Sequence, residues 1–321
     1  MTQNHTLKWF SVVVVIVWCV LFLRAENTEK SIVRALFLEQ TDTGWSAGLF
    51  YQFPEASADA SETDAQIRFA LASGQTPQAA LMQAEEKLPR KASYRLCDYL
   101  VLGQESDFDT LQTSESLFLE HPYGRLASRV FCADFSGTAL ETQNEEDEYL
   151  PESLLDLLKS DKTAPHLYEN RNGVLLPVLE LNDGELSNRE ERLLLTETGQ
   201  VTLTADQTEA ALFLSGAKHT CQFQSETNPV ELTSLAQSVE LEGEDFHLVL
   251  TCRVPPDGRR PTDEEIARWE NLCTETVRLC WENGSDLLRL RLSSVQALRD
   301  GTNTLTTKNA CPNLWTDVVI F

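Results

Sequence analysis

Residues 44–48, Gly-Trp-Ser-Ala-Gly, fit G-x-S-x-G, the turn that presents a nucleophilic serine in α/β-hydrolases. That chemistry needs a strand, a sharp turn and a helix whose N-terminus faces the serine. Here Gly48 is followed by Leu49, Phe50, Tyr51, Gln52, Phe53 and then Pro54, which reads as a strand ending at proline. The sequence therefore puts Ser46 on a hairpin, without a general base or a helix dipole. The histidines at 5, 121, 166, 219 and 247 are scattered, with no H-E-x-x-H and no pair at helical spacing. No Gly-rich phosphate loop occurs. Glu145, Glu146, Asp147 and Glu148 lack the alternating ligands and glycine of a calcium loop. The expectation is a chain with no catalytic, cofactor-binding or metal-ligating residue, and hence a non-enzymatic one without a cofactor.

Cysteines stand at 19, 97, 132, 221, 252, 273, 280 and 311, with no C-x-x-C pair and no zinc spacing. Cys273 and Cys280, seven apart on an expected helix, are about 10.5 Å apart along its axis, too far for a disulfide. Small core residues are the expectation for these thiols. Cys19 poses a different question, because it lies within the uncharged residues 9–23. That run is short for a bilayer span, but Leu7 and a snorkelling Lys8 extend it to the lower limit. Three outcomes are open: an uncleaved membrane anchor, lipidation at Cys19, or a cleaved signal. A lipoprotein signal wants a small residue before its cysteine, whereas Trp18 is large. The apolar run also continues through Val20, Leu21, Phe22 and Leu23, where a mature polar chain would begin. Both features favour the anchor.

The 321 residues carry a net charge of −24. Phosphate backbones would be repelled, so nucleic acid is excluded as a partner. Broad docking on anionic lipid headgroups is disfavoured as well.

Those residues need elements to hold them. Residues 31–53 read as a β-hairpin around Thr41, Asp42, Thr43 and Gly44. Residues 54–64 are a small, polar loop. Thr76 is a good N-cap, Pro77 suits the first helical position, and Ala80, Leu81, Ala84 and Leu88 share one face before Pro89 stops the helix. Residues 94–103 then read as a buried strand. The composition becomes polar over residues 107–116, followed by strand-like residues 130–133 and an acidic linker at 145–148. A short helix opens at Pro151, and Leu175, Leu176, Pro177, Val178 and Leu179 follow. Residues 199–203 and 210–214 read as strands, and residues 239–241 and 246–254 as a hairpin. The strongest helix covers residues 262–283. Thr262 and Glu265 form a capping box, and Ile266, Trp269, Cys273, Val277 and Cys280 make one apolar face. Leu288, Leu290 and Leu292 alternate with polar residues as a further strand, and residues 315–321 close the chain.

The order of these pieces resembles the Ger(x)C family, the C subunits of spore-germination nutrient receptors. The resemblance rests on Ser73, Gly74, Gln75 and Thr76 with Ala80, then Arg90, then Leu100, Val101, Leu102 and Gly103. It continues through the short helix before the Leu-Pro-Val segment, Ala211-Leu212-Phe213, the long C-terminal helix and the closing strand. It departs from the family where basic residues and Gly-x-Leu usually follow Phe213, and at the Trp18–Cys19 junction, since family members are typically lipoproteins. The expected fold is α+β: an N-terminal membrane anchor (1–30), then two or three mixed α/β domains (31–105, 106–195 and 196–321) with antiparallel or mixed sheets. The resemblance implies a place on the extracytoplasmic face of the cell or spore inner membrane. There the chain would sit beside integral-membrane A and B subunits and contribute to germination signalling. The alternative is a surface-tethered solute- or peptide-binding protein.

Overall fold

The computed structural model describes residues 14, 15, 18, 30–52, 66–104, 106–120, 125–169, 173–223, 229–242, 245–256, 258–285 and 314–320. Cys19, the loop at 54–64, the strand expected at 288–292 and nearly all of the expected anchor lie outside them. Among the described residues no helix is long and apolar enough to cross a membrane.

Strands β1 (Lys30–Thr41) and β2 (Gly44–Gln52) form the expected hairpin, turning at Asp42 and Thr43. β3 (Arg68–Gly74) pairs antiparallel with β2. Helix α1 (Pro77–Glu86) starts where expected: the Thr76 hydroxyl accepts from the Ala79 N–H at 3.1 Å. β4 (Lys91–Ser93) lies just before the strand expected over 94–103, of which only β5 (Tyr99–Leu102) forms; both run parallel to β1. β6 (Arg129–Ala133) and β7 (Val174–Asn182) continue the parallel run. β8 (Glu185–Thr196) and β9 (Gly199–Leu203) end it antiparallel. The strand order is β3-β2-β1-β5-β6-β7-β8-β9, with β4 beside β1.

Parallel neighbours require crossovers, and helices supply them. They are α1, α2 (Phe108–Glu120), and α3 (Gly137–Glu146) with α4 (Leu150–Ser160). Alternate side chains of a strand leave opposite faces. Leu36, Leu38, Leu100 and Leu102 therefore join Ala80, Leu81, Leu111 and Phe118 in one core. Ala35, Phe37, Val101 and Phe131 join Leu140, Leu154, Leu155 and Leu158 in another. Burial on both faces is why the run Leu100, Val101, Leu102 shows no alternation.

The second sheet has the order β10 (Thr220–Phe223), β11 (Val230–Glu242), β12 (Asp245–Arg253), β13 (Leu314–Ile320). Helices α5 (Ala205–Leu214) and α6 (Asp263–Glu282) pack against it. The capping box of α6 is present as expected, and Trp269, Cys273, Val277 and Cys280 are buried along its face. Asp263, Glu264, Arg268, Glu275 and Glu282 on its other face are exposed.

The molecule is a mixed α/β protein, and several expectations change in detail. The boundary drawn between 105 and 106 falls inside one sheet, because β5 and β6 are hydrogen-bonded neighbours. The boundary between 195 and 196 falls within β8, and Leu175, Leu194 and Leu203 of the first sheet share a core with α5, α6 and the second sheet. Residues 210–214 are helical, not a strand. Thr204 and Gln207 cap α5 reciprocally, and the helix is buried almost all round, which erases its period. The polar residues 107–116 mostly belong to α2, and Glu145 and Glu146 end α3 instead of forming a linker.

Candidate functional site

Ser46 lies within β2, 3% exposed, with its hydroxyl 3.2 Å from that of Ser73 on β3. Its register partners are Glu39 and Ser73. A paired strand on both sides replaces the strand-turn-helix that a nucleophile elbow requires. The described cysteines are equally enclosed. Cys97, Cys132, Cys221, Cys252, Cys273 and Cys280 are free and buried. Burial pushes Cys97, Cys132 and Cys280 up to about 12 and Cys252 up to about 11, and it raises Cys221 and Cys273 as well. Such thiols are not nucleophiles near neutral pH. Among the described residues no group of His, Cys, Asp and Glu could hold a metal ion.

In open α/β sheets, ligands usually bind beyond the C-terminal ends of the parallel strands. In this chain a side chain occupies that ground. Glu39, near the C-terminal end of β1, is 5% exposed, and its Oε2 accepts from the Gly137 N–H at 3.0 Å, at the first turn of α3. Position 103 has to be glycine, since a Cβ there would sit 2.6 Å from that of Glu39. The anion position at the N-terminus of α3 is filled by the protein's own carboxylate.

A cleft of about 370 Å³ opens elsewhere, lined by described residues from 162–169, 173–175 and the C-terminal end of α5. Its floor is apolar: Ala164, Val174, Leu175 and Leu212 are all buried. Lys162, His166, Glu169 and Ser215 bring polar groups to its lining. The walls are fixed by hydrogen bonds. Backbone bonds tie Val130 to Pro165, Leu167 to Ser128 and Tyr168 to Leu126. The His166 N–H donates to Glu169 Oε2 at 3.0 Å, and His166 Nδ1 lies 2.7 Å from the Ala127 carbonyl oxygen. Gly173 allows a close approach to the chain just past α6, because a Cβ there would meet Ser285 Oγ at 2.5 Å.

Arg192 of β8 anchors the other end. Its Nη2 donates to Asp161 Oδ2 at 2.7 Å and to Thr163 Oγ1 at 2.6 Å, while its backbone N–H donates to Thr208 Oγ1 of α5. Arg192 thus ties the segment after α4 to β8 through its guanidinium and β8 to α5 through its backbone N–H. Burial alone would raise the Asp161 carboxyl. Arg192 and the Thr163 hydrogen bonds outweigh it and hold the group below the usual carboxylate range.

The chain is similar to the solved structure of the GerBC protein. The likeness spans 89% of this chain and 96% of that one, at 11% identity and a TM-score of 0.41. No protein-family model matches the sequence. No curated protein sequence matches it either.

None of the cleft was expected from the sequence. His166 appeared there only as one of several scattered histidines. The cleft-lining groups come from stretches about forty residues apart, so no local spacing could reveal them. The one local signal was the helix-ending Leu-Ser-Gly at residues 214–216, which ends α5 and shapes the cleft's lip.

Proposed function

We propose that this chain is a membrane-tethered, non-enzymatic subunit of a spore germinant receptor, held beside integral-membrane A and B subunits on the extracytoplasmic face of the inner membrane. The observation that carries the reading is the order of elements that resembles the Ger(x)C family: hairpin, strand, Thr76-capped helix, buried strand ending in Gly103, long C-terminal helix and closing strand. The setting of Ser46 on a paired strand supports a role other than hydrolysis. Trp18 before Cys19 supports an uncleaved tether.

Two measurements on the native spore-former test this. Deleting the chain should abolish or slow the response to one set of nutrients, and the full-length chain should restore it. An affinity-tagged copy extracted in mild detergent should bring two multi-span proteins with it. Mass spectrometry of the extracted chain should find the tether intact. A diacylated N-terminal Cys19 would replace the tether with a lipid, and a normal germination response in the deletion strain would end the receptor reading. The cleft favours a second reading, a tethered solute-binding protein, in which the deletion strain would germinate normally and the purified chain would still bind a small molecule.

A further inference from the structure

We infer that the Asp183–Gly184 pair in the β7–β8 turn is a site of spontaneous covalent modification, where aspartate converts to isoaspartate in the folded chain. The fold locks a second and intrinsically faster pair, Asn283–Gly284, and leaves this one free. The order of reaction in a flexible chain is thereby reversed.

Both pairs invite the same ring closure. The glycine nitrogen, unhindered by a neighbouring side chain, attacks Cγ of the preceding residue. The N–Cγ bond forms and a five-membered succinimide results. Asparagine expels ammonia, whereas aspartic acid expels water, made of the amide proton and the carboxyl hydroxyl. Water then reopens the ring. Cleavage at one carbonyl gives aspartate, and cleavage at the other gives isoaspartate, with the chain running through Cβ. Water is the only co-reactant. In a flexible chain asparagine reacts first, because a carboxylate repels the attacking nitrogen. Closure requires the peptide between the two residues to rotate until the glycine nitrogen faces Cγ.

At the end of α6 that peptide is pinned at both ends. The Gly284 N–H donates to the Trp281 carbonyl at 2.9 Å, and the Asn283 carbonyl accepts from Thr198 Oγ1 at 2.7 Å. The reacting side chain is held as well, since Asn283 Nδ2 donates to the Leu279 carbonyl at 2.8 Å. The β7–β8 turn is different. Asn182 and Glu185 are its last paired residues, and φ is 51° at Asp183 and 85° at Gly184. Positive φ at both central residues defines a type I′ turn, for which Asp-Gly is a favoured sequence. Among the described residues no hydrogen bond holds the Asp183 carbonyl or the Gly184 N–H. Asp183 is exposed. A type I′ turn becomes type II′ by rotation of its central peptide, and the first central residue keeps φ above zero in both. That rotation carries the Gly184 nitrogen toward Cγ and leaves the Asn182–Glu185 pair intact. The product adds one methylene to the backbone of a loop whose length fixes the β7–β8 register.

The test ages the full-length chain at physiological temperature, native and in concentrated urea. Isoaspartate is labelled with an isoaspartyl methyltransferase and radioactive S-adenosylmethionine, then located by peptide mapping. In the native chain Asp183 should be labelled before Asn283, and in urea Asn283 should come first. Asn283 should react about tenfold or more slowly in the folded chain than in urea, because it waits for local opening of the helix end. Asp183→Gly creates Gly-Gly, which also suits a type I′ turn, and should remove the native label at this turn. Asp183→Asn keeps the turn and should speed its modification. Asn172, Asp257 and Asp300 also precede glycine but lie outside the described residues, and mapping counts them separately. Modification of Asn283 ahead of Asp183 in the native chain, or a native Asp183 that stays unlabelled, would overturn the assignment. Neither readout involves a germination phenotype, so this assignment and the receptor reading can fail separately.

Discussion

Arg192 is the residue whose loss should be felt in most places. It is 6% exposed and joins the segment after α4 to β8 and α5 through one guanidinium and one backbone N–H. Removing it strands the Asp161 carboxylate in a largely buried position. Arg192→Ala should therefore cost about 3–5 kcal/mol, measured by denaturant unfolding at neutral pH. The pair also sets an acid limit. The folded carboxyl of Asp161 is lowered, so its contribution is complete above its unfolded value near 4 and is lost as the pH falls through the lower folded value. Wild-type stability should decline in that acid window, and Asp161→Asn should remove part of the decline. Identical acid slopes for the two proteins would place the limiting carboxylate elsewhere. This residue-level network could not be seen in the chain order, because Asp161, Arg192 and Thr208 are brought together only by the crossing of β8 and α5.

At the scale of elements, α6 gives the sharpest contrast. Trp269 is 1% exposed, stacks on Phe223 with ring centroids 5.0 Å apart and meets Phe213 edge-on at 6.2 Å. Trp269→Ala should cost about 3–5 kcal/mol, whereas Glu275→Ala on the wet face should cost less than about 0.5 kcal/mol. Equal, small losses in urea unfolding would show that this face is not a core. The apolar stripe of α6 was legible because one side is wet and the other dry, so the helical period survives in the residue types. The same logic explains the misses. α5 is enclosed nearly all round, so its Ala-Ala-Leu-Phe-Leu run imitates a strand, and only the Thr204–Gln207 cap betrayed a helix. In α2 the buried face includes Thr110 and Ser114, whose hydroxyls bond to Asp107 and to the Thr110 carbonyl. Polar residue types there hid a dry face. The hairpin of β1 and β2 was readable because its turn chemistry is local, whereas the parallel pairing of β1 with β5 depends on a crossover that no short window contains.

At the scale of the molecule, three cores meet on two sheets, and Leu175, Leu194 and Leu203 carry the first sheet into the core of the second. That sharing explains why division of the chain by composition at 105 and 195 follows no physical seam. It also leaves β1, the first strand described, between β2 on one side and β5 with β4 on the other. The consequence is mechanical. A load entering at Lys30 along the strand is delivered to the middle of the sheet, where the ladders to β2, β4 and β5 take it in shear. Those bonds must rupture together, whereas an edge strand such as β9 can be peeled from β8 one pair at a time. In an optical trap, the chain pulled through a handle at residue 30 should yield at higher force than the chain pulled through a handle on β9. The opposite ranking would mean that the hairpin detaches first. A body hung from its N-terminus by this strand would bear tension through its strongest seam.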